Sequence, residues 1–508
     1  MGVLAALARA GANVDVTLFE IGKAPAGPFE TAAPPERWPS GRLAEIYRHL
    51  RRENGFSLLQ PKTHFGALSP RYPVNGRDRV WRSVHRGGLT NFWGTTMLPF
   101  TQSEFDGWPL TADDLRPFYR EIANRVGIAG AADGLNEYFG DTFDNRPPLR
   151  PLPPLGRITE KFHRNGHSSE LRFVAGINRA AIETRDDQPA HCIYCGECMI
   201  GCFAGATYTA KTAIDAHVTD GTVRTVLRGP VTAIDADRGT IRIGSAAEAG
   251  PFDRIYLCAG CVGTTEILMR SFGVREGPIL FDNAVHTFPI VCLQKPDKGF
   301  DPHRYIALTN LIVLAFAKQE RTCAAQIQIY PNMDHLWRPL TPAALWPLFG
   351  GLAARLRSHL FWGRAYLDGE HSQKYALSLR ADDTLRIDLL EEPNVKSRMR
   401  ALTDALNVAL RGTGLTIPAV KAIRQSTSSH YGCTLPYGGR LIPVERDGRV
   451  GRTAYVCDST SFPNLPAVSP TFTIMANASL PHVRRSLDER TVETLHVDDF
   501  VIRADGAL

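Results

Sequence analysis

MGVLAALARAGANVDVTLFEIG, residues 1–22, is the stretch on which the fold turns. Gly2 to Ala10 is a short apolar helix pattern (Val3, Leu4, Ala6, Leu7, Ala10) closed by Gly11. Val14 to Phe19 is rich in β-formers and ends in Glu20. In a dinucleotide-binding βαβ unit, an acidic residue about 20 positions past the glycine-rich turn binds a ribose hydroxyl. Residues 1–22 therefore read as the second part of such a unit, with Gly2 at the third glycine of the fingerprint and Glu20 as the ribose-binding acid. An ordinary αβ unit of a doubly wound sheet has the same pattern. No apolar strand and no G-x-G stand before Gly2, so the expectation is a truncated unit beside an empty strand position, and a start placed too far downstream is its simplest account.

Outward from that stretch, 508 residues suffice for about two domains with a substantial core. Net charge is +6 without a long basic run, so nucleic acid is not an expected partner. No uncharged apolar run reaches 18 residues, which argues against a transmembrane helix, and no signal peptide is expected. Four of the ten cysteines crowd into 192–202, suggesting metal or thiol chemistry in a reducing cytoplasm.

Pro25–Pro39 reads as an irregular excursion and Leu43–Arg51 as a short helix. Trp81–Phe100 (WRSVHRGGLTNFWGTTMLPF) fits neither helix nor strand spacing. Its Gly87-Gly88 pair lets main chain pass close to a ligand, so it is a ligand-contacting or a plain surface loop. Thr111 caps a helix with Asp113 and Asp114 in its first turn and Leu115, Phe118, Tyr119 and Ile122 on one face. Residues 140–190 read as an extended connection. Val223–Ile243 holds two β runs around a turn at 236–239. RIYLCAG, 254–260, is a buried strand entering a glycine turn, with a helix from Thr264 to Ser271. Alternation at Ala325–Tyr330, Tyr375–Leu379 and Thr384–Leu389 predicts an antiparallel sheet. Thr341–Leu367 is apolar and basic; it reads as a core helix interrupted by Gly350-Gly351, or as a surface for peripheral membrane contact or a substrate entrance.

The C-terminal stretch contains SSHYGCTLPYGG and CDSTSFPNLPAVSPTFTIMANASL. With LFEIG, GGLTNFWG, GWPLTADDLRPFYREIANRVGI and YLCAGCVGTTEILMRS in the same order, the chain resembles the glucose–methanol–choline (GMC) flavoprotein oxidoreductases over nearly its whole length. The resemblance implies FAD as cofactor and an alcohol as substrate, with sugars and sterol-like or other apolar alcohols leading. His430 matches the family's catalytic base, a task that suits a neutral imidazole. The second active-site position, His or Asn in the family, is Ser469 here, and the glycine before Thr434 is Cys433. Gly87, Gly88, Thr90, Asn91 and Trp93 match the flavin loop, and Asp458 and Ser459 the later flavin-contacting block. Pro470 at the first helical position and Thr471 would open a helix toward the flavin pyrimidine edge.

Cys192, Cys195, Cys198 and Cys202 have the C-x2-C-x2-C-x3-C spacing of a bacterial ferredoxin run, without the proline that usually follows the fourth cysteine. An iron–sulfur cluster, structural zinc and uncoordinated thiols are the three readings. A cluster would send electrons to a carrier protein or quinone, favouring a dehydrogenase over an oxidase. The other six cysteines read as small buried hydrophobes. The expected architecture is an α/β Rossmann-like FAD-binding domain (1–110, 185–283 and 426–508) with an α+β substrate domain containing an antiparallel sheet (111–184 and 284–425). A rival reading is a cysteine-ligated electron-transfer or zinc-stabilised partner protein with a degenerate flavin site.

Overall fold

A computed structural model describes residues 2–9, 15–21, 72–75 and 79–480, apart from 92, 169, 200, 203, 246, 296–299, 319, 338–344, 391–393, 420–422 and 425–427. The expectations for Pro25–Pro39 and Leu43–Arg51 lie outside the described residues.

The largest sheet follows the spatial order Leu415–Thr416, Val285–Cys292, Leu360–Leu367, Ala325–Pro331, Leu311–Ala317, Leu171–Ile177, and every pairing in it is antiparallel. Ile423–Arg424 pairs separately with Val285–Cys292. Strand alternation sets its two faces. Ala325, Ile327 and Ile329 join Phe361 and Ala365 in the main core, with Leu155 and Ile158 of the helix Pro153–Asn165 and Met399, Leu402 and Leu406 of Val395–Ala409. Each fully buried isoleucine there contributes roughly 1.5–3 kcal/mol. The opposite face presents Gln326, Gln328, Arg364 and Tyr366, all buried although mostly polar.

Lys374–Leu379 and Leu385–Leu389 do pair antiparallel as expected, but not with Ala325–Pro331. They belong to a second, mixed sheet with Glu276–Asp282, Tyr431–Gly432, Tyr72–Asn75 and Arg79–Val80. Alternation reports a half-buried strand, not its neighbour, so it could not separate the two sheets. Residues 140–190 are likewise not a plain connection: Pro153 starts a helix at a position that needs no N–H, and Leu171–Ile177 is an edge strand of the large sheet.

Near the N-terminus, Gly2–Arg9 is helical and Val16–Glu20 a strand. That strand pairs in parallel with Val223–Arg228, so Val223–Arg228 is not the first arm of the expected hairpin, which forms instead between Val231–Asp235 and Thr240–Ile243. Ile255–Leu257 pairs in parallel with Ala454–Val456. Among the described residues these two parallel pairs lie in separate small sheets and not in the one doubly wound sheet expected. The helix after Ile255–Leu257 begins at Cys261, three residues earlier than expected, because Gly260 at φ +77° makes the turn itself.

Trp346–Leu356 is a helix that runs through Gly350-Gly351 without interruption. Ala353 and Ala354 are buried, but Leu345, Leu348, Phe349 and Leu352 are exposed, so this apolar stripe is not core. No helix among the described residues is long and apolar enough to cross a membrane.

Candidate functional site

Around His430 two sheets and the segment before the last helix meet. The Glu276–Asp282 strand ends in a buried polar pair, Asp282-Asn283. Asp282 accepts from the Ser428 backbone N–H and from its hydroxyl at 2.6 Å, and the Ser428 hydroxyl in turn accepts from the His430 N–H at 2.9 Å. Asn283 Nδ2 donates to the carbonyls of Leu367 and Pro466, at 2.7 and 3.1 Å. That fixes which end of the amide is nitrogen, so Asn283 Oδ1, 3.0 Å from His430 Nδ1, is an acceptor. His430 therefore carries its proton on Nδ1, and Nε2 keeps a lone pair. Burial, and secondarily the Arg364 guanidinium, hold its pKa down to about 3, so the ring is neutral at pH 7. Tyr366 stacks on it with centroids 5.1 Å apart and planes 16° off parallel, and Arg364 sits 5.1 Å above the Tyr366 ring. Ser429 and Cys433, both at positive φ, flank this segment, so Cys433 adopts the left-handed conformation that glycine takes more readily.

Ser469 is buried against the same sheet. Its N–H donates to Gln326 Oε1 at 3.0 Å, and Gln326 Nε2 donates to its hydroxyl oxygen at 2.9 Å. Gln328 Nε2 stands at 3.4 Å from the same oxygen, so two glutamine amides converge on the Ser469 hydroxyl. Pro470 is the residue preceding the helix Thr471–Asn477, one position earlier than expected, a shift within the usual ambiguity of helix ends.

The Gly87-Gly88 loop forms a short 3₁₀ turn over Gly88–Asn91. Thr90 Oγ1 donates to the Gly87 carbonyl at 2.6 Å, and Asn91 Nδ2 to the carbonyls of Arg86 and Gly88 at 3.0 Å. Gly87, at φ +91°, lies so near that a Cβ there would stand 2.6 Å from Lys211 N; Gly88 faces open space. Trp93 Nε1 donates to the Tyr208 carbonyl at 3.0 Å. Asp458 is buried; burial pushes its carboxyl above the usual range, opposed by hydrogen bonds from Thr264 and Thr460. Ser459 donates to the Tyr431 carbonyl, and its own carbonyl accepts from the Cys433 N–H at 3.0 Å, tying this block to the His430 segment. Gly2 packs against the last helix: a Cβ there would stand 2.1 Å from the Met475 carbonyl oxygen. Glu20 ends its strand beside Arg228.

Cys192, Cys195, Cys198 and Cys202 all line one recess, with Ile182 and Ile306, whose empty volume is about 340 Å³ including its mouth. All four are free thiols. Burial pushes Cys192 up to about 11 and Cys195 up to about 12. Among the described residues no group of three or more His, Cys, Asp or Glu side chains could hold a metal ion, so neither the iron–sulfur nor the structural-zinc reading of these cysteines is supported. Of the other six cysteines five are buried as expected, but Cys258 is exposed.

Asn283, Tyr366, Arg364, Gln326 and Gln328 escaped the sequence reading. Tyr366, Arg364, Gln326 and Gln328 are polar or aromatic residues at buried positions of β strands, and only that break in the apolar pattern marks them, while Asn283 lies between two strands.

No protein-family model and no curated protein matches the sequence. Solved structures match it in fold. Pyridoxine 4-oxidase from Mesorbium loti superposes with a TM-score of 0.59 at 15% identity, over 97% of this chain and 97% of that one. A formate oxidase variant from Aspergillus oryzae RIB40 gives 0.59 at 13%, over 96% of each chain. An FAD-dependent oxidoreductase from Chaetomium thermophilum gives 0.58 at 12%, over 97% and 98%.

Proposed function

From the premise that this chain has the fold of the GMC FAD-dependent oxidoreductases, we propose that it is an FAD-dependent enzyme oxidising the CH–OH group of an alcohol, with His430 as base. The observation that carries the reading is the Asn283–His430 contact, which leaves an unprotonated, neutral Nε2 in a part-buried site. The residues fit a flavin: the Gly87-Gly88 loop has one glycine facing open space, and the Asp458–Ser459 block is bonded to the His430 segment. Gly87, Gly88, Thr90, Asn91 and Trp93 would hold one part of FAD and Asp458, Ser459, Pro470 and Thr471 another, with Gly2 and Glu20 toward the adenosine half. FAD, when bound, supplies the hydride acceptor.

His430 Nε2 takes the hydroxyl proton as the carbinol C–H bond breaks. Asn283 holds the imidazole in the tautomer that can accept it, and Tyr366 fixes the plane of the ring. Gln326 locks Ser469, whose hydroxyl orients the substrate oxygen. The polar face of the large sheet bounds the substrate space, with primary or secondary alcohols of sugars or of apolar, sterol-like molecules as candidates. The electrons must then leave, to dioxygen or, were Cys192, Cys195, Cys198 and Cys202 to hold an iron–sulfur cluster, through that cluster to a carrier; the second route would make the enzyme a dehydrogenase.

The test is anaerobic mixing of FAD-loaded protein with a panel of such alcohols while following flavin absorbance. Bleaching by one class, abolished in His430→Ala with FAD still bound, is the expected result. Bleaching that survives in His430→Ala would refute the assignment of the base.

A further inference from the structure

We propose that Cys258 and Cys457 form a reversible redox pair: hydrogen peroxide oxidises the Cys258 sulfur, and Cys457 then closes a disulfide with it. The site rests on these two thiols and the strands that carry them, and it is independent of the flavin reading above.

Strand register brings the two together. Ile255–Leu257 and Ala454–Val456 run parallel, with Ile255 opposite Ala454, Tyr256 opposite Tyr455 and Leu257 opposite Val456. The Cys457 N–H donates to the Leu257 carbonyl at 3.0 Å, so the ladder continues past the last of these pairs and sets Cys457 opposite Cys258. Neighbouring strands lie roughly 4.7–4.9 Å apart, within the Cα separation of about 4.4–6.8 Å that a disulfide spans. The faces agree as well. Side chains alternate along a strand, so both cysteines fall on the side of Tyr256 and Tyr455, whose rings stack with centroids 5.6 Å apart. Cys457 packs on that side with Tyr455, Val3 and Leu7, whereas Leu257 and Val456 belong to a different core cluster.

The two thiols are unequal, as an attacking and a resolving cysteine must be. Cys258 is exposed, and so are Ala259 and Gly260 after it; a Cβ added at Gly260 would meet nothing within 4 Å. Cys457 is buried. Its thiol donates a hydrogen bond to the Cys258 sulfur, which holds Cys258 below the ordinary thiol range although the surrounding protein and the Asp458 carboxylate push the other way. The other acceptor near Cys457, the Tyr455 carbonyl, stands at 3.7 Å. Burial, above all, lifts Cys457 well above the ordinary range. An accessible sulfur with thiolate character beside a protonated partner is the arrangement that reacts with peroxide and then resolves to a disulfide. Cys192 and Cys195 lack it, since burial pushes them up to about 11 and about 12.

In the first step the Cys258 thiolate attacks hydrogen peroxide. An S–O bond forms, the O–O bond breaks, and the hydroxide released takes up the thiol proton and leaves as water. Sulfur has given two electrons and peroxide has gained them. In the second step the Cys457 sulfur attacks Cys258; the S–S bond forms, the S–O bond breaks, and a second water departs with the Cys457 proton. An external dithiol restores both thiols by exchange. The bond ties two strand ends together directly before Asp458, which accepts from Thr264 of the helix Cys261–Ser271 at 2.5 Å. Oxidation therefore braces a joint that is already hydrogen-bonded.

The test uses the full chain, reduced, freed of reductant and treated without oxygen with equimolar hydrogen peroxide. The expected result is loss of two of the ten thiols and, after trypsin, a disulfide joining residues 255–270 to 453–484. Cys457→Ala should arrest Cys258 as the sulfenic acid, which dimedone labels. Cys258→Ser should abolish that label and slow thiol loss several-fold. Peroxide that leaves the two peptides unjoined in the wild type, or oxidises the thiols of 192–202 first, overturns the pair. The peptide 255–270 also contains Cys261, so a cross-link that survives in Cys258→Ser overturns it too. The wild-type peptide map decides the matter even where a variant fails to fold. The melting temperature of the cross-linked protein should rise and return with dithiothreitol; a cross-link that leaves it unmoved keeps the pair and refutes the brace.

Discussion

Replacing Arg364 with glutamine should raise the pKa of His430 by about one unit, and the geometry gives the size. Arg364 lies 5.1 Å from the Tyr366 centroid, which lies 5.1 Å from the His430 centroid, so the two cations are at most about 10 Å apart. At an effective dielectric constant of about 20, unit charges at that separation repel by about 1.7 kcal/mol, or about 1.2 pKa units. Burial, the larger cause, is untouched, so the pKa moves from about 3 to about 4 and stays below that of free histidine. Anaerobic flavin reduction should then be flat above pH 5 in both proteins, with the acid limb displaced upward in Arg364→Gln; NMR titration of labelled histidine reads the same shift directly. The linkage has a definite sign. Between about 3 and 6.5 the unfolded chain binds a proton that the folded imidazole does not, so stability is full above pH 6.5 and falls as pH drops through that window. The full penalty is about 5 kcal/mol, reduced to a few because the ring keeps some solvent contact. An acid limb at pH 6–7 in the wild type, or one unmoved by Arg364→Gln, would refute the reasoning.

Asn283→Leu removes the acceptor at His430 Nδ1 and lets the other tautomer form; losing about 1.5–3 kcal/mol should slow flavin reduction about 10- to 100-fold, measured by stopped flow, with FAD content as control. Gly87→Ala forces a Cβ against Lys211 at a positive φ, so FAD occupancy after purification should fall and the melting temperature drop by the equivalent of about 1–2 kcal/mol. Arg179, wholly buried, holds Asp133 with a forked contact at 2.9 and 3.0 Å and also donates to Asn136. Arg179→Met should cost about 3–5 kcal/mol in urea unfolding by leaving that carboxylate unpaired. An unchanged midpoint would show the pair contributes little.

Local rules read well wherever one segment supplied both the signal and its satisfaction. Thr111 does cap its helix, with Asp114 returning the bond at 2.9 Å, and Leu115, Phe118, Tyr119 and Ile122 are its buried face. Gly87-Gly88 needs a special backbone for reasons its own dipeptide announces. The reading failed where the partner is remote. Gln326 and Ser469 are 143 positions apart, and Asn283 and His430 are 147 apart. Nothing in either neighbourhood names the other. Leu348, Phe349 and Leu352 misled in the opposite way, because an apolar stripe records that a surface wants covering and not that this chain covers it.

The clasp between Gln326 and Ser469, doubled by Asn283 on the Leu367 and Pro466 carbonyls, has a mechanical consequence. It welds the sheet to the segment before the last helix beside His430. A molecule that opened like a clam along this line would have to sever three buried hydrogen bonds each time. The joint is therefore a seam and not a hinge: on the proposed function, substrate would have to reach His430 without the sheet and this segment parting.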